Sequence, residues 1–506
     1  MGVERSLRAI PGRSAARSGG WEATVPDRRG YYTVDEIRAA EAELFTRVPV
    51  GMPMRRAAFG LAGVVVGELR SRTGAVAGRT VGMLVGSGDN GGDALWAGAF
   101  LRRRGVRVSA VLLNPERAHS AGLAALRAAG GRVVDRLESV DLVIDGIVGI
   151  SGRGSLRPGA AEMVAAVDAP IVAADLPSGV DPDTGAVDGP AVTADVTVAF
   201  GAYKPVHALA VPRCGRIVLV PIGLRLGAAG LAQLEPAAVG AGWPVPGPAD
   251  DKYSQGVTGV CAGSAKYPGA GVLCVGGAVV ATSGMVRYAG SDTAVSERYP
   301  EVVASPSISE TGRVQAWVFG PGGGTDAAAR DRLAEVLATD LPVLVDADGL
   351  TILAEEPGLV RGRGAPTVLT PHAGEFARLT GAAVGDDRVR AARGLAEQWG
   401  VTVLLKGRAT IIASPGEATL VNDAGGDWAA TPGSGDVLSG IIGALLAAGR
   451  APGWAAAAGA RVHALAANSA AHEGRNVGAP VSATPLLAQV REAVRVLREV
   501  GETGTG

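Results

Sequence analysis

Six short segments of this chain set glycines, a carboxylate or a lysine, and small polar residues side by side, the combination that phosphate or cation chemistry needs. GSGDNGGDA at 86–94 stands between an apolar run and an Ala/Leu-rich stretch, where amides at a helix N-terminus attract phosphate. It does not fit GxGxxG followed by the acidic residue of a dinucleotide fold, it contains no GK[ST], and alone a solvated strand–helix turn accounts for it equally well. Two more apolar runs end in polar clusters: Asp145 followed by GIVGISGRGS at 146–155, and DLPSGVD at 175–181. In an open parallel sheet the ligand crevice lies beyond the carboxyl ends of the strands, so the three loops converge there. Asn90, Asp145 and Ser178 bring oxygens with no His or Cys cluster nearby, which suits a hard monovalent or divalent cation rather than zinc. A lone strand-end aspartate is commonly a turn residue, so the reading rests on the set.

The other three segments lie in the C-terminal half. TPGSGDVLSGIIGALLAAG at 431–449 places small residues and Asp436 directly before an apolar helical run. Amides at 433–436 would make an anion hole for a transferring phosphoryl group, and Asp436 could take a hydroxyl proton there. An aspartate-capped helix needs one small residue, whereas a phosphate cradle needs several. KGRAT at 406–410 offers a lysine and a hydroxyl to nucleotide phosphates, and TPHAGEFARLTG at 370–381 carries His372, the one histidine of five in such a loop. His119, His207, His463 and His472 are read as surface or helix residues. No HExxH and no nucleophile–His–Asp arrangement is visible, which disfavours hydrolase chemistry.

These loops need strands behind them, and the sequence supplies two series. Glycine-bounded apolar runs at 81–86, 106–113, 141–149 and 171–177 alternate with helical stretches, the pattern of a parallel sheet covered on both faces; 196–200 and 216–220 continue it. A second series has strands near 256–262, 314–320, 343–346, 366–370 and 401–406, helices at about 325–339 and 386–400, and a helical covering layer from 436 to 500. Between them PAAVGAGWPVPGPAD at 236–250 has the composition of a connector, so cleavage there is expected to give two soluble halves. Thr33-Val34-Asp35-Glu36 is a capping box that starts the first helix.

The 506 residues predict two to four domains. Lys+Arg at 48 against Asp+Glu at 49 leaves a net charge of −1, so no global positive field draws nucleic acid or an anionic membrane. Cys214, Cys261 and Cys274 form no CxxC, which excludes a disulfide framework and a zinc ribbon and points to a reducing cytoplasm. No apolar run reaches the length of a membrane span. Residues 1–30 are expected to be a disordered extension, with no apolar region of a secretory signal.

Over about residues 31–235 the chain resembles the YjeF N-terminal family of NAD(P)H-hydrate epimerases, on YTVDEIRAAE at 32–41, NGGD at 90–93, DGIVG at 145–149 and DLPSGVDPDTG at 175–185. The resemblance implies that Asn90, Asp145 and Ser178 bind potassium. It further implies that Asp89, Asn90, Gly91, Gly92 and Asp93 hold the hydrated nucleotide together with Gly149, Ile150, Ser151, Gly152, Arg153, Gly154 and Ser155. Asp175 would contact the reacting ring, as its acid and base, and Lys204 matches a basic residue near that site. Asp89 and Ala94 depart from the usual NNGGDG.

Over about 245–500 the chain resembles the ribokinase-like kinases and, more closely, the ADP-dependent NAD(P)H-hydrate dehydratases. DKYSQG at 251–256, AGSAKYPGAG at 262–271, GPGGG at 320–324, TPHAGE at 370–375, LKGRATII at 405–412 and PGSGDVLSG at 432–440 carry it. This implies that Ala270, Gly322, Gly324, His372 and Asp436 bind the hydrated nicotinamide nucleotide. Lys406, Gly407, Arg408, Ala409, Thr410 and Gly435 would bind the AMP part of ADP, which enters with Mg2+. Gly323, Ala373 and Pro432 depart from the common pattern without removing a reactive side chain.

The expected fold is α/β in two domains, a Rossmann-like three-layer sandwich over 31–235 and a ribokinase-like one over 251–500, joined by the linker 236–250. The expected activity is the interconversion of R and S hydrated NAD(P)H, with Asp175 catalytic, and ADP-driven dehydration of the S form, with Asp436 catalytic. The expected partners are small molecules, with no nucleic acid and no membrane, in a homo-oligomer. The alternative is a ribokinase-class small-molecule kinase carrying a non-catalytic nucleotide-sensing module.

Overall fold

The structure is a computed structural model that describes residues 27–282 and 284–503. The extension expected over 1–30 therefore lies almost wholly outside the described residues.

Seven strands form the first sheet, all paired in parallel: Arg132–Val133, Arg107–Leu112, Thr80–Val85, Leu142–Gly146, Ile171–Ala174, Val196–Phe200 and Arg216–Val220, in that spatial order. Both faces of the central strands are covered, which is why they read as continuous apolar runs rather than alternating ones. Val81, Met83 and Val85 pack under the helices Met52–Thr73 and Asp89–Arg102, while Leu84 points to the opposite core with Val143 and Ala160. The strand order reverses between Thr80–Val85 and Leu142–Gly146, so the loops after them flank the crevice that such a reversal opens.

The second sheet has eleven strands. Thr402–Leu405, Thr367–Leu369, Val343–Val345, Ala316–Phe319, Val257–Cys261, Met285–Ala289 and Val303–Ser305 run in parallel. Ala409–Ala413 and Thr419–Asp423 extend it as an antiparallel meander. The helices Pro268–Ala281, Ser434–Ala447, Pro452–His472 and Ala483–Thr503 cover one face; Ala327–Leu337, Asp348–Glu355, Ala373–Thr380 and Arg388–Trp399 cover the other.

The domain boundaries expected from composition need correction. Arg28–Tyr31 and Leu231–Leu234 do not belong to the first sheet; they pair antiparallel with each other, and Leu231–Leu234 then pairs in parallel with Thr419–Asp423 in the second. Without them Thr419–Asp423 would be an open edge with unpaired amides and carbonyls. Residues 236–250 are also not a free connector. Pro236–Gly242 is a short helix with Pro at its first turn, where no amide is needed. It lies so close to the C-terminal helix that a Cβ on Gly240 would stand 1.9 Å from the Leu497 carbonyl oxygen. Trp243 is buried, its Nε1 donating to the Ala281 carbonyl at 2.9 Å.

The expected capping box is present: the Glu36 amide donates to Thr33 Oγ1, and Glu36 Oε2 accepts from the Thr33 amide at 2.7 Å, starting the helix Val34–Phe45. Among the described residues no helix is long and apolar enough to cross a membrane.

Candidate active sites

The first site forms where three strands of the seven-stranded sheet end. Asp145, 1% exposed, accepts from the Ile147 amide at 3.1 Å, the Ser178 amide at 2.9 Å and Ser178 Oγ at 2.7 Å. Burial pushes its carboxyl up to about 6, against the pull of those hydrogen bonds. Asn90 opens the helix Asp89–Arg102 and is buried, with its Nδ2 unpartnered. Its side chain lies against Gly149, where a Cβ would stand 3.3 Å from Asn90 Oδ1. Asp145 and Ser178 are thus bonded to each other, and the Asn90 side chain lies beside Gly149 in the loop that follows Asp145. The loop over 149–155 is mostly exposed, with Ile150 packed against the core that holds Leu176 and Val180.

Asp175 sits one step past Ile171–Ala174 with φ of +67°, in the left-handed region. Its Oδ1 accepts from Lys204 Nζ at 2.5 Å and from the Phe200 amide at 2.9 Å. Lys204 is 1% exposed, and its ammonium also meets the Phe200 carbonyl at 2.9 Å. Burial followed by the Asp175 charge pushes both Asp93 and Glu41 above the ordinary carboxyl range. Asp93 Oδ1 is buried without a partner. Sequence reading missed two members here. Glu41 closes the YTVDEIRAAE segment but was given no role; His207, read as a surface or helix residue, is 2% exposed and bonded to the Asp175 carbonyl.

The second site lies at the carboxyl ends of the strands of the larger sheet. Gly433, with φ of +83°, is the N-cap of Ser434–Ala447 and makes no side-chain cap bond, so Asp436 is not the cap of that helix. Burial, then the charge of Asp346, pushes Asp436 up to about 7. Lys406 Nζ lies 2.8 Å from Asp346 Oδ1 and 3.7 Å from Glu375 Oε2; those carboxylates outweigh burial and hold the lysine above its ordinary value. A Cβ on Gly435 would stand 3.5 Å from Lys406 Nζ, so the helix start faces this pair. Arg388 donates to the Lys406 carbonyl at 3.0 Å, fixing the turn over 406–410, and Arg408 is tied to Asp423 and Asp427.

Ala270 and Gly322 touch, since a Cβ on Gly322 would stand 2.7 Å from Ala270 Cβ, and the Gly324 amide donates to Asp348 Oδ2 at 2.9 Å. His372 caps Ala373–Thr380, its Nδ1 accepting from the Gly374 and Glu375 amides while its ring stays largely exposed. Sequence reading missed Asp346, Ser439 and His463. The available signal for Asp346 was an aspartate at the end of the run 343–346. His463, also read as a surface or helix residue, is a buried helix residue bonded to the Ser434 carbonyl.

Two parallel-stranded α/β units, each gathering glycine loops and carboxylates at its strand ends, define a two-site enzyme. The model of the YjeF-related protein N-terminus matches residues 52–206, and that of NAD(P)H-hydrate dehydratase matches 258–487. The bifunctional NAD(P)H-hydrate repair enzyme Nnr of Mycobacterium tuberculosis is 61% identical over 474 residues, covering 93% of this chain and all of the relative. That of Mycobacterium leprae is 59% identical over the same shares, and that of Corynebacterium glutamicum 39% identical, covering 82% of this chain and 87% of the relative. Among solved structures, the ADP/ATP-dependent NAD(P)H-hydrate dehydratase of Bacillus subtilis is 25% identical with a TM-score of 0.45, covering 53% of this chain and 97% of that one. The chain belongs to the family of bifunctional NAD(P)H-hydrate repair enzymes.

Proposed function

We propose that the chain repairs hydrated NADH and NADPH in the cytoplasm, interconverting the R and S forms in the N-terminal site and dehydrating the S form with ADP in the C-terminal one. The observation that carries it is the pair of lysine–carboxylate centres at strand ends, buried Asp175 with buried Lys204 and buried Asp346 with partly exposed Lys406, the second of which faces Asp436.

In the damaged cofactor the C6 carbon bears a hydroxyl next to the ring nitrogen. For epimerisation the hydroxyl takes a proton and leaves as water while the N1 lone pair forms the C6=N1 iminium. Water then adds to the other face and returns the proton. The Asp175–Lys204 pair gives and receives that proton, since its buried contact leaves few competing partners. Amides at the start of Asp89–Arg102 and the 149–155 loop hold the phosphates.

Asn90 through Oδ1, Asp145 and Ser178 fit a potassium ion: an amide oxygen on a buried side chain, a buried carboxylate and a buried hydroxyl, all hard oxygen ligands. Such an ion supplies positive charge beside the phosphates and the raised Asp145 carboxyl. Among the described residues no three or more His, Cys, Asp or Glu are grouped to hold a metal, and this reading asks for no such group.

For dehydration Asp436 takes the proton of the C6 hydroxyl as its oxygen attacks the β-phosphorus of ADP and AMP leaves. The phosphate ester then departs with the push of N1, a proton leaves C5, and the C5=C6 bond of NAD(P)H is restored. The products are NAD(P)H, AMP and phosphate. Lys406, the 406–410 turn and the Gly435 amide face the nucleotide phosphates, which bring Mg2+ with them. Incubation with S-hydrated NADH and ADP should restore dihydronicotinamide absorbance; consumption of ADP without that return would support a plain kinase instead.

A further inference from the structure

Asp175 is held in a backbone conformation that L residues rarely adopt, and each of its main-chain polar groups is pinned. Its amide donates to the Val198 carbonyl at 2.8 Å, and its carbonyl lies 2.8 Å from His207 Nε2. On the other side of the ring, the Lys204 amide donates to His207 Nδ1 at 2.9 Å. One imidazole therefore bridges the two partners of the reactive pair through their backbones, while their side chains meet at 2.5 Å.

The bridge fixes the proton on the ring. Nδ1 accepts from an amide, so it carries a lone pair; the single N–H must then be on Nε2, where it donates to the Asp175 carbonyl. A second proton on Nδ1 would face the Lys204 N–H directly. Burial and the neighbouring Lys204 charge push the imidazole down to about 4, in agreement with a neutral ring at physiological pH. Tyr203, edge-on to the ring with centroids 6.3 Å apart, closes it from the side.

We propose that His207, as the neutral Nε2–H tautomer, is a positioning residue that holds Asp175 in its left-handed conformation and thereby sets the direction of its carboxylate toward Lys204. Released from this bond, the Asp175 carbonyl loses its buried donor and the residue relaxes out of the left-handed region, turning the carboxylate away. His207 touches neither substrate nor reacting atoms, so its effect falls on turnover rather than on substrate affinity.

The proposal rests on assigning epimerisation to the Asp175–Lys204 site, and Asp175→Asn in the full chain tests that assignment separately: unchanged interconversion would remove the assignment itself. With it in place, two variants divide the two halves of the bridge. His207→Gln keeps an N–H near the position of Nε2, whereas His207→Asn keeps an acceptor near Nδ1 and cannot reach the Asp175 carbonyl.

R-to-S interconversion is measured per folded molecule, with dehydration of the S form by the other domain as internal control. Asn should lower kcat about 10- to 100-fold with little change in KM, the size expected for misplacing a reacting group by about an ångström. Gln should recover most of that loss. A Gln variant no faster than Asn overturns the proposal. The unmutated protein gives a second reading that needs no variant to fold: the nitrogen NMR signals of His207 should report an Nε2–H neutral ring from pH 6 to 8 (order-of-magnitude window about the ordinary imidazole value). An Nδ1–H or charged ring there overturns the proposal equally.

Discussion

Lys406 Nζ lies 2.8 Å from Asp346 Oδ1, and this pair, not a lone aspartate, is the electrostatic setting of Asp436. Asp346 is 1% exposed and spends its second oxygen on Ser439 Oγ at 2.8 Å, so it cannot turn away. Ser439 lies on the same helix as Asp436, one turn further on, and thus ties the strand-end carboxylate to the helix that carries Asp436.

The first prediction is a pH dependence. Asp436 is raised to about 7, so it is protonated below that pH and available as a base above it. Dehydration turnover should therefore fall as pH drops through about 7, while epimerisation keeps a different acid limb. The linkage has a matching sign: the folded state holds a proton that the unfolded chain gives up near 3.8, so this group's contribution to stability is present at acid pH and is lost as pH rises through about 7. Asp346→Asn removes the nearby negative charge that raises Asp436 and should move the acid limb of turnover to lower pH. A limb that stays in place would separate Asp346 from Asp436.

Asp436→Asn should cut dehydration turnover about 10²- to 10⁴-fold, the range for a positioned general base. Affinity for AMP should change little, because the proposed phosphate contacts are the Gly435 amide and the 406–410 turn rather than this carboxylate. The helix is capped by Gly433 without a side-chain bond, so no cap is lost, and with the disfavoured buried charge gone the melting temperature should hold at acid pH and rise above about pH 7. Calorimetry with AMP and a thermal melt on the same sample check all three, and near-normal turnover would sink the assignment.

Asn90→Ala should slow epimerisation and leave dehydration of S-hydrated substrate intact, since Asn90 serves the first sheet alone. Replacing potassium by lithium in the buffer should act in the same direction on the parent protein and have no further effect on the variant. Equal loss of both activities without unfolding would count against two separate sites.

The strands that carry the reactive loops were legible because parallel strands buried on both faces are unbroken apolar runs ended by glycine. Thr80–Val85 reads that way, Leu142–Gly146 is an apolar run ended by Asp145 and a glycine, and Val343–Val345 is an apolar run ended by Asp346. Asp145, Asp175 and Asp436 were legible because each stands in a polar cluster where such a run or a small-residue loop ends. His207 was not. Its partners are a neighbouring backbone amide and a carbonyl 32 residues away, and no spacing rule joins an imidazole to a distant carbonyl. Asp346 was marked only as part of a strand, because Lys406 is 60 positions away and Ser439 is 93. The pairing of RRGY with LAQL was hidden for another reason: four residues carry too little alternation to identify a strand, and its partners are set by tertiary packing.

That hidden pairing changes what cleavage of the chain should do. A cut at 244–249 leaves Arg28–Tyr31, Leu231–Leu234 and Pro236–Gly242 on the first fragment, while Thr419–Asp423 and the C-terminal helix stay on the second. Tyr31 and Leu231 are buried in one core of the larger domain, with Val421, and Leu234 and Trp243 in the other, with Leu420. Separating the fragments would expose several such side chains, each at a cost of about 1.5 to 3 kcal/mol, and would open the edge of Thr419–Asp423. The Lys204 loop depends on the same contact: the Tyr32 amide donates to the Tyr203 carbonyl at 2.9 Å, the Tyr31 and Tyr203 rings lie 6.0 Å apart, and the Arg29 guanidinium stands 5.1 Å over Tyr203. The nicked protein should therefore run as one particle on size exclusion and keep both activities. Residues 251–503 expressed alone should melt at a lower temperature or aggregate. Tyr203→Ala in the intact chain should slow epimerisation more than dehydration, because it loosens the loop that carries Lys204. Two nicked halves that separate as soluble fragments, each with full activity, would restore the simple connector and remove the structural dependence of the first site on the second domain.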